Sequence, residues 1–157
     1  MPFLQVVAYE GQTKYDWMVK SRTFSPITHI ALKLGDSKIE AMPFIGVREI
    51  TWMTFPTPYT AYVVPIKGIT EQQSKIVWEW LLTQEGKGYD YWGVFGYTIW
   101  IGRIHERNKW FCSELVEAAL RKVDIVMTPG FAPCKVSPAR LFDSELLIKD
   151  KMEVMHA

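Results

Sequence analysis

The apolar residues of this chain change period once, near residue 70, and that change limits the folds open to it. Before it, short apolar or alternating stretches recur: Phe3 to Tyr9, Thr28 to Leu34, Ser37 to Met42, Gly46 to Met53 and Thr60 to Ile66. Each has the length and alternation of a strand. Gly35-Asp36 is a two-residue turn signal, so the second and third stretches pair as a hairpin. The turn FPTP separates the last two. After residue 70 the spacing is helical. Thr70 caps a helix, with Gln73 as its reciprocal partner in a capping box. Ile76, Val77, Trp80 and Leu81 follow at helical spacing, and Gly86 ends the segment. A second amphipathic helix, CSELVEAALRKV, opens at Cys112 and buries Leu115, Val116, Ala119, Leu120 and Val123. Strands first and helices later predict an α+β domain over 1–157, one antiparallel sheet packed against helices.

The remaining segments carry weaker signals. Tyr15 to Lys20 reads as a brief helical or loop piece, and the glycine-broken, aromatic Tyr89 to Trp100 as a short helix and a loop. Proline and glycine punctuate 128–138. A helical turn is expected over Pro138 to Phe142 and a strand near Leu146 to Lys149.

Composition removes several classes of function. The formal net charge is +1 and the basic residues are scattered, so no stripe exists for a phosphate backbone and nucleic acid is not an expected partner. No apolar run approaches the eighteen residues of a membrane span. The N-terminal MPFLQVVAYEGQ lacks the pattern of a signal peptide. Two cysteines, Cys112 and Cys134, do not make a disulfide framework, and the chain reads as a cytoplasmic protein. Neither C-x-x-C nor H-x-x-x-H occurs, so no metal and no other cofactor is expected. Seven Trp, seven Tyr and eight Phe serve either a Trp-rich core or a groove for an apolar or extended ligand.

Cys112 is the residue best placed for chemistry. The first turn of a helix has unpaired N–H groups and a partial positive charge, which favour a thiolate and can stabilise an oxyanion. Glu114 in the same turn would slightly oppose ionisation of the thiol. Cys134 lies in a proline-flanked loop and reads as inert. Of the three histidines, His105 falls in a charged loop and His156 in a tail expected to fray. His29 lies in a strand. The two-residue turn sets Leu34 opposite Ser37, Lys33 opposite Lys38, Leu32 opposite Ile39, Ala31 opposite Glu40 and His29 opposite Met42. His29, Ala31, Lys33, Lys38, Glu40 and Met42 then share one face, and Ile30, Leu32, Leu34, Ile39 and Ala41 face the core. His29 and Glu40 become diagonal neighbours, about 5 to 8 Å apart at the backbone. A glutamate spans that distance and can hold an imidazole in one tautomer. The plainer reading is a solvated charged face on a hairpin.

The ordered set THIAL, a glutamate after the hairpin turn, GKGYDYWGVFG, WFCSELVEAAL and KVSPARLFDS resembles the permuted NlpC-like families of the papain fold. YiiX-like proteins are the nearest look-alikes and lecithin:retinol acyltransferases more distant ones. The resemblance covers about residues 25–144. It implies a circularly permuted papain-like fold, since the histidine precedes the cysteine here. It further implies Cys112 as nucleophile, His29 as general base and Glu40 as the residue that orients the imidazole. Tyr89 and the backbone of Ser113 would bind oxyanion or substrate, Asp90 would be structural, and Ser137-Pro138 would cap a short helix beside the site. The expected activity is hydrolysis of an amide, as in a cell-wall-type peptide. Alternatives are acyl-lipid hydrolysis or transfer, a ligand-binding module without turnover, and an interaction protein docking through the aromatic loop. Oligomeric state is not legible.

Overall fold

The computed structural model describes residues 2–11, 20, 25–54, 59–90 and 108–156. Among these, six strands form one sheet: β1 (Gln5–Gly11), β2 (His29–Leu34), β3 (Ser37–Met42), β4 (Gly46–Thr51), β5 (Tyr59–Pro65) and β8 (Glu153–His156). Their order is β4-β3-β2-β1-β5-β8, and every neighbouring pair is antiparallel. A small parallel pair joins β6 (Gly88–Tyr89) to β7 (Lys109–Trp110). Three helices follow the first five strands: α1 (Glu71–Gln84), α2 (Cys112–Arg121) and the short α3 (Pro138–Phe142). The α+β class read from the change of period holds. The expected pieces at Tyr15 to Lys20 and at 91–100 lie almost wholly outside the described residues.

Alternation along the strands builds two apolar layers. Leu4, Val6 and Ala8 join Ile30, Leu32, Ile39 and Ala41 in the main core, which the helices cover with Val77, Leu81, Leu115, Val116, Ala119 and Leu120. Each Val, Leu or Ile among them contributes about 1.5–3 kcal/mol when fully buried. Val7, Tyr9, Ala31, Tyr59, Ala61 and Val63 make a smaller cluster on the opposite face. The turn at Gly35 sets Leu34 opposite Ser37, Lys33 opposite Lys38 and Leu32 opposite Ile39, the register expected for a two-residue loop.

Helix α1 begins with the capping box foreseen at Thr70: Gln73 N–H donates to Thr70 Oγ1 and Thr70 N–H to Gln73 Oε1. Its buried row is Ser74, Val77, Leu81 and Gln84. Ile76, counted as apolar face from spacing, is exposed instead. Polar residues occupy both ends of the true row because each has a partner there. Ser74 Oγ accepts from Leu4 N–H, and Gln84 Oε1 accepts from Trp110 Nε1.

The tail differs from expectation. The stretch 146–149 makes only an isolated antiparallel bridge, Leu147 to Ile66 just past β5, with Ile148 N–H donating to the Pro65 carbonyl, and the strand comes later as β8. An edge strand as short and exposed as Glu153–His156 carries no amphipathic signal. His156 is therefore held in the sheet, with Nδ1 3.3 Å from Thr60 Oγ1, and not in a frayed end.

One glycine fixes the far hairpin to the helical layer. Gly46 has φ +87°, and a Cβ placed there would lie 2.3 Å from the Lys87 carbonyl oxygen. Val47 N–H donates to that oxygen and Gly86 N–H to the Val47 carbonyl. Gly46→Ala is expected to cost about 2 kcal/mol or more, because strain and clash fall at one point. Denaturant unfolding checks this; an unchanged midpoint contradicts it.

Candidate active site

Cys112 is the first residue of α2, and its position is fixed from both sides. Ahead of it, Trp110 packs edge-on against Trp80 and donates to Gln84, which ties β7 to α1. Behind it, the fully buried Ser113 donates its hydroxyl to the Val136 carbonyl at 2.5 Å. Ser137 in turn caps α3, its Oγ accepting from Arg140 N–H, with Pro138 at the first helical position. The Ser-Pro element thus caps a short helix that lies against the cysteine helix, as the resemblance implied. Ser113 is taken up structurally through its hydroxyl, so only its N–H can face a ligand. Further along, the buried Glu117 carboxylate accepts from Arg121, from the N–H groups of Met127 and Thr128, and from the Thr128 hydroxyl. This anchors the chain that leaves α2.

His29, the first residue of β2, is buried at 7 % exposure. Its Nε2 lies 2.9 Å from Glu40 Oε2. The Cys112 side chain lies near enough to the ring to help raise its pKa. With Nε2 engaged by Glu40, the nitrogen left for sulfur is Nδ1. The structure therefore brings together Cys112, His29 and Glu40 from a helix start and two neighbouring strands. Tyr89 is buried in β6 beside Trp110, two residues before the cysteine. Asp90 is fully buried and its N–H donates to the Trp110 carbonyl.

The face carrying His29 is not solvated. Glu40 and Lys38 are each 1 % exposed. Glu40 Oε2 also receives Lys38 Nζ at 3.1 Å, while Oε1 receives Arg48 Nε at 3.1 Å and a second Arg48 nitrogen at 3.0 Å. Lys38 Nζ donates onward to the Tyr9 hydroxyl at 2.8 Å, and the Tyr9 ring stands 5.4 Å from the His29 ring. Tyr9, Lys38 and Arg48 were missed as site residues. Arg48 was findable, because a β3–β4 hairpin sets it directly opposite Glu40. Tyr9 faces His29 across β1 and β2 and gave no local signal.

Electrostatics follow from these contacts. Burial pulls the His29 imidazolium down, but hydrogen bonds to Cys112 and Glu40 and the charges of both outweigh it and raise the pKa to about 9. Burial would raise the Glu40 carboxyl; the hydrogen bond and charge of His29, then Lys38, hold it at about 2. Glu114 is buried, and burial with the Asp90 charge pushes it up to about 8, so it is protonated at neutral pH. Its expected opposition to a thiolate at Cys112 is accordingly absent. Cys134 is half-buried in a 3-10 turn, Pro133–Lys135, that packs against α2.

The crystal structure of the metalloprotein YiiX from Escherichia coli O157:H7 matches with a TM-score of 0.67 over 93% of this chain and 94% of that one. The two chains share one fold. Identity with YiiX is 14%, so the likeness is one of architecture. No family model and no curated protein matches the sequence. Among the described residues, no group of three or more His, Cys, Asp and Glu could hold a metal ion. Glu40, whose oxygens are already shared by Lys38, Arg48 and His29, does not fit a metal ligand. Nor is any helix among the described residues long and apolar enough to cross a membrane.

The aromatic residues divide. Trp78, Trp80 and Trp110 pack half-buried against the main core and Trp52 against the smaller cluster, which supports the core reading for these four. The loop at 91–102, the candidate substrate wall, and His105 lie outside the described residues.

Proposed function

We propose that the chain is a single-domain cysteine hydrolase on a circularly permuted papain-like fold of the NlpC type, acting on an amide bond. The observation that carries this reading is the unbroken line of contact from the Cys112 side chain through the His29 ring to Glu40. The permuted order is supported by β2 and β3 preceding the cysteine helix in the chain. Cys112 is the nucleophile, His29 the acid and base, and Glu40 the group that fixes the ring.

The steps balance without a cofactor. The Cys112 thiolate forms an S–C bond to the carbonyl carbon, and the charge on oxygen is met by the N–H groups of Cys112 and Ser113 and by Tyr89. His29 gives its proton to the leaving nitrogen as the C–N bond breaks. Water then attacks the thioester, losing a proton to His29, and the C–S bond breaks to return the thiolate. The same steps serve an acyl ester, the substrate of a lipid hydrolase, or end on another acceptor in a transferase.

A peptide amide and an acyl lipid, offered separately, distinguish these by released amine or released fatty acid. The amide reading expects amine, lost in Cys112→Ala; fatty acid alone moves the assignment to the lipid branch. Release of neither, with Cys112 intact, leaves a binding module. Because His29 must carry the proton it delivers, the rate is expected to hold through neutrality and fall as pH rises through about 9. A decline already complete by pH 7 contradicts this.

A further inference from the structure

We propose that Lys38 is a positioning residue of this site: bridging the Tyr9 hydroxyl and the Glu40 carboxylate, its ammonium fixes the oxygen that orients the His29 ring and shares that oxygen's negative charge. The role in catalysis rests on the hydrolase reading; the charge sharing does not.

The argument starts from cost. A lysine is almost never fully buried, and burying an ammonium in an ion pair is often no better for stability than an apolar side chain of similar volume. Lys38 is nevertheless 1 % exposed, on the strand face it shares with Glu40. Arg48 already satisfies Oε1 through two nitrogens, so the carboxylate does not need a second cation to stay ionised. Lys38 goes to the other oxygen. Its Nζ is 3.1 Å from Oε2, the atom that lies 2.9 Å from His29 Nε2. Two donors thus converge on one acceptor, and each weakens the other's hold.

The far side of the ammonium is fixed as well. The Tyr9 hydroxyl accepts from it at 2.8 Å, and the ammonium stands 4.6 Å from the centre of the same ring. Tyr9 cannot act as an anion here, because burial, with Glu40 next, raises its phenol far above the usual range. Burial lowers the Lys38 ammonium, while Glu40 acts to keep it charged. The titratable and charged groups around Glu40 and His29 among the described residues are Tyr9 on β1, Lys38 on β3, Arg48 on β4, Tyr59 on β5 and Cys112 on α2. Within this set Lys38 shares an oxygen with the imidazole, so a change there reaches the ring directly.

The test follows the His29 ring by NMR across pH in the full chain, with Lys38→Met, Lys38→Arg and Tyr9→Phe beside it. Lys38→Met removes a nearby cation and leaves Oε2 to the ring, so the His29 titration is expected to rise by about one unit. Lys38→Arg keeps the charge and should stay near the parent value. Tyr9→Phe removes the ammonium's other acceptor and presses it onto Oε2, which moves the titration down. Tyr9→Phe keeps ring shape, so it remains informative if Lys38→Met fails to fold. An unmoved His29 in the folded variants, or a fall in Lys38→Met, overturns the proposal. Where amide hydrolysis is measured, the alkaline limb of kcat should move with the ring. If the ring moves and no hydrolysis occurs in the parent, charge sharing stands and the hydrolase reading falls. If hydrolysis occurs and the ring does not move, the reverse holds.

Discussion

Cys112→Ala is expected to abolish turnover, by about a thousandfold or more, because nucleophile and base act as one unit and removing either disables both. The fold should survive. Cys112 sits at the helix start with Phe111 and Leu115 as apolar neighbours in the same core, and losing one sulfur from such a place costs about 1 kcal/mol. Thermal unfolding of Cys112→Ala should therefore stay close to the parent while product release disappears. Cys134→Ala, half-buried in a 3-10 turn and outside the proposed triad, should retain turnover. Equal loss from both substitutions, or full activity without the Cys112 sulfur, would remove the proposed nucleophile.

The second large effect is on stability. Glu40→Gln leaves the Lys38 ammonium and the Arg48 guanidinium facing a neutral amide in a buried place. Breaking a buried ion pair by deleting one partner typically costs about 3–5 kcal/mol, much of it the stranded charge. Urea unfolding should show a midpoint shift of that size. The pH dependence has a definite sign. Glu40 is held at about 2, so its contribution is complete above its ordinary value near 4.5 and is lost as pH falls through about 2. His29 is raised to about 9, so its contribution is complete below its ordinary 6.5 and is lost as pH rises through about 9. The parent should thus be most stable between these limits, and Glu40→Gln should lose the acid-side slope. An unchanged midpoint in Glu40→Gln contradicts the buried cluster.

What could be read from the sequence was whatever local periodicity encodes. The turn at Gly35-Asp36 gave the hairpin register, and the register put His29 and Glu40 on one face. The same logic, carried through the next hairpin, reaches Arg48. Other features depend on distant partners and leave no trace in a short window. Ser74 and Gln84 occupy the buried row of α1 because Leu4 and Trp110 donate hydrogen bonds to them, whereas Ile76 is exposed. A polar strand face looks solvated until a second layer is known; Tyr9, Tyr59 and Val63 supply part of that layer from β1 and β5. Glu114 looked like an anion that would oppose the thiol, and only its burial beside Asp90 makes it neutral. The β8 edge strand was invisible because its residues are mostly exposed and polar pattern alone does not mark an edge.

The account depends on the Cys112 sulfur sharing a proton with the His29 ring, and alkylation by iodoacetamide at pH 6 tests that contact directly. Cys112 is buried and Cys134 half-buried, so exposure alone would make Cys134 the faster thiol. Pairing with His29 predicts the opposite order, with Cys112 modified first and its advantage lost in His29→Ala. Cys134 reacting as fast as Cys112 or faster, or a Cys112 rate indifferent to His29→Ala, would contradict it.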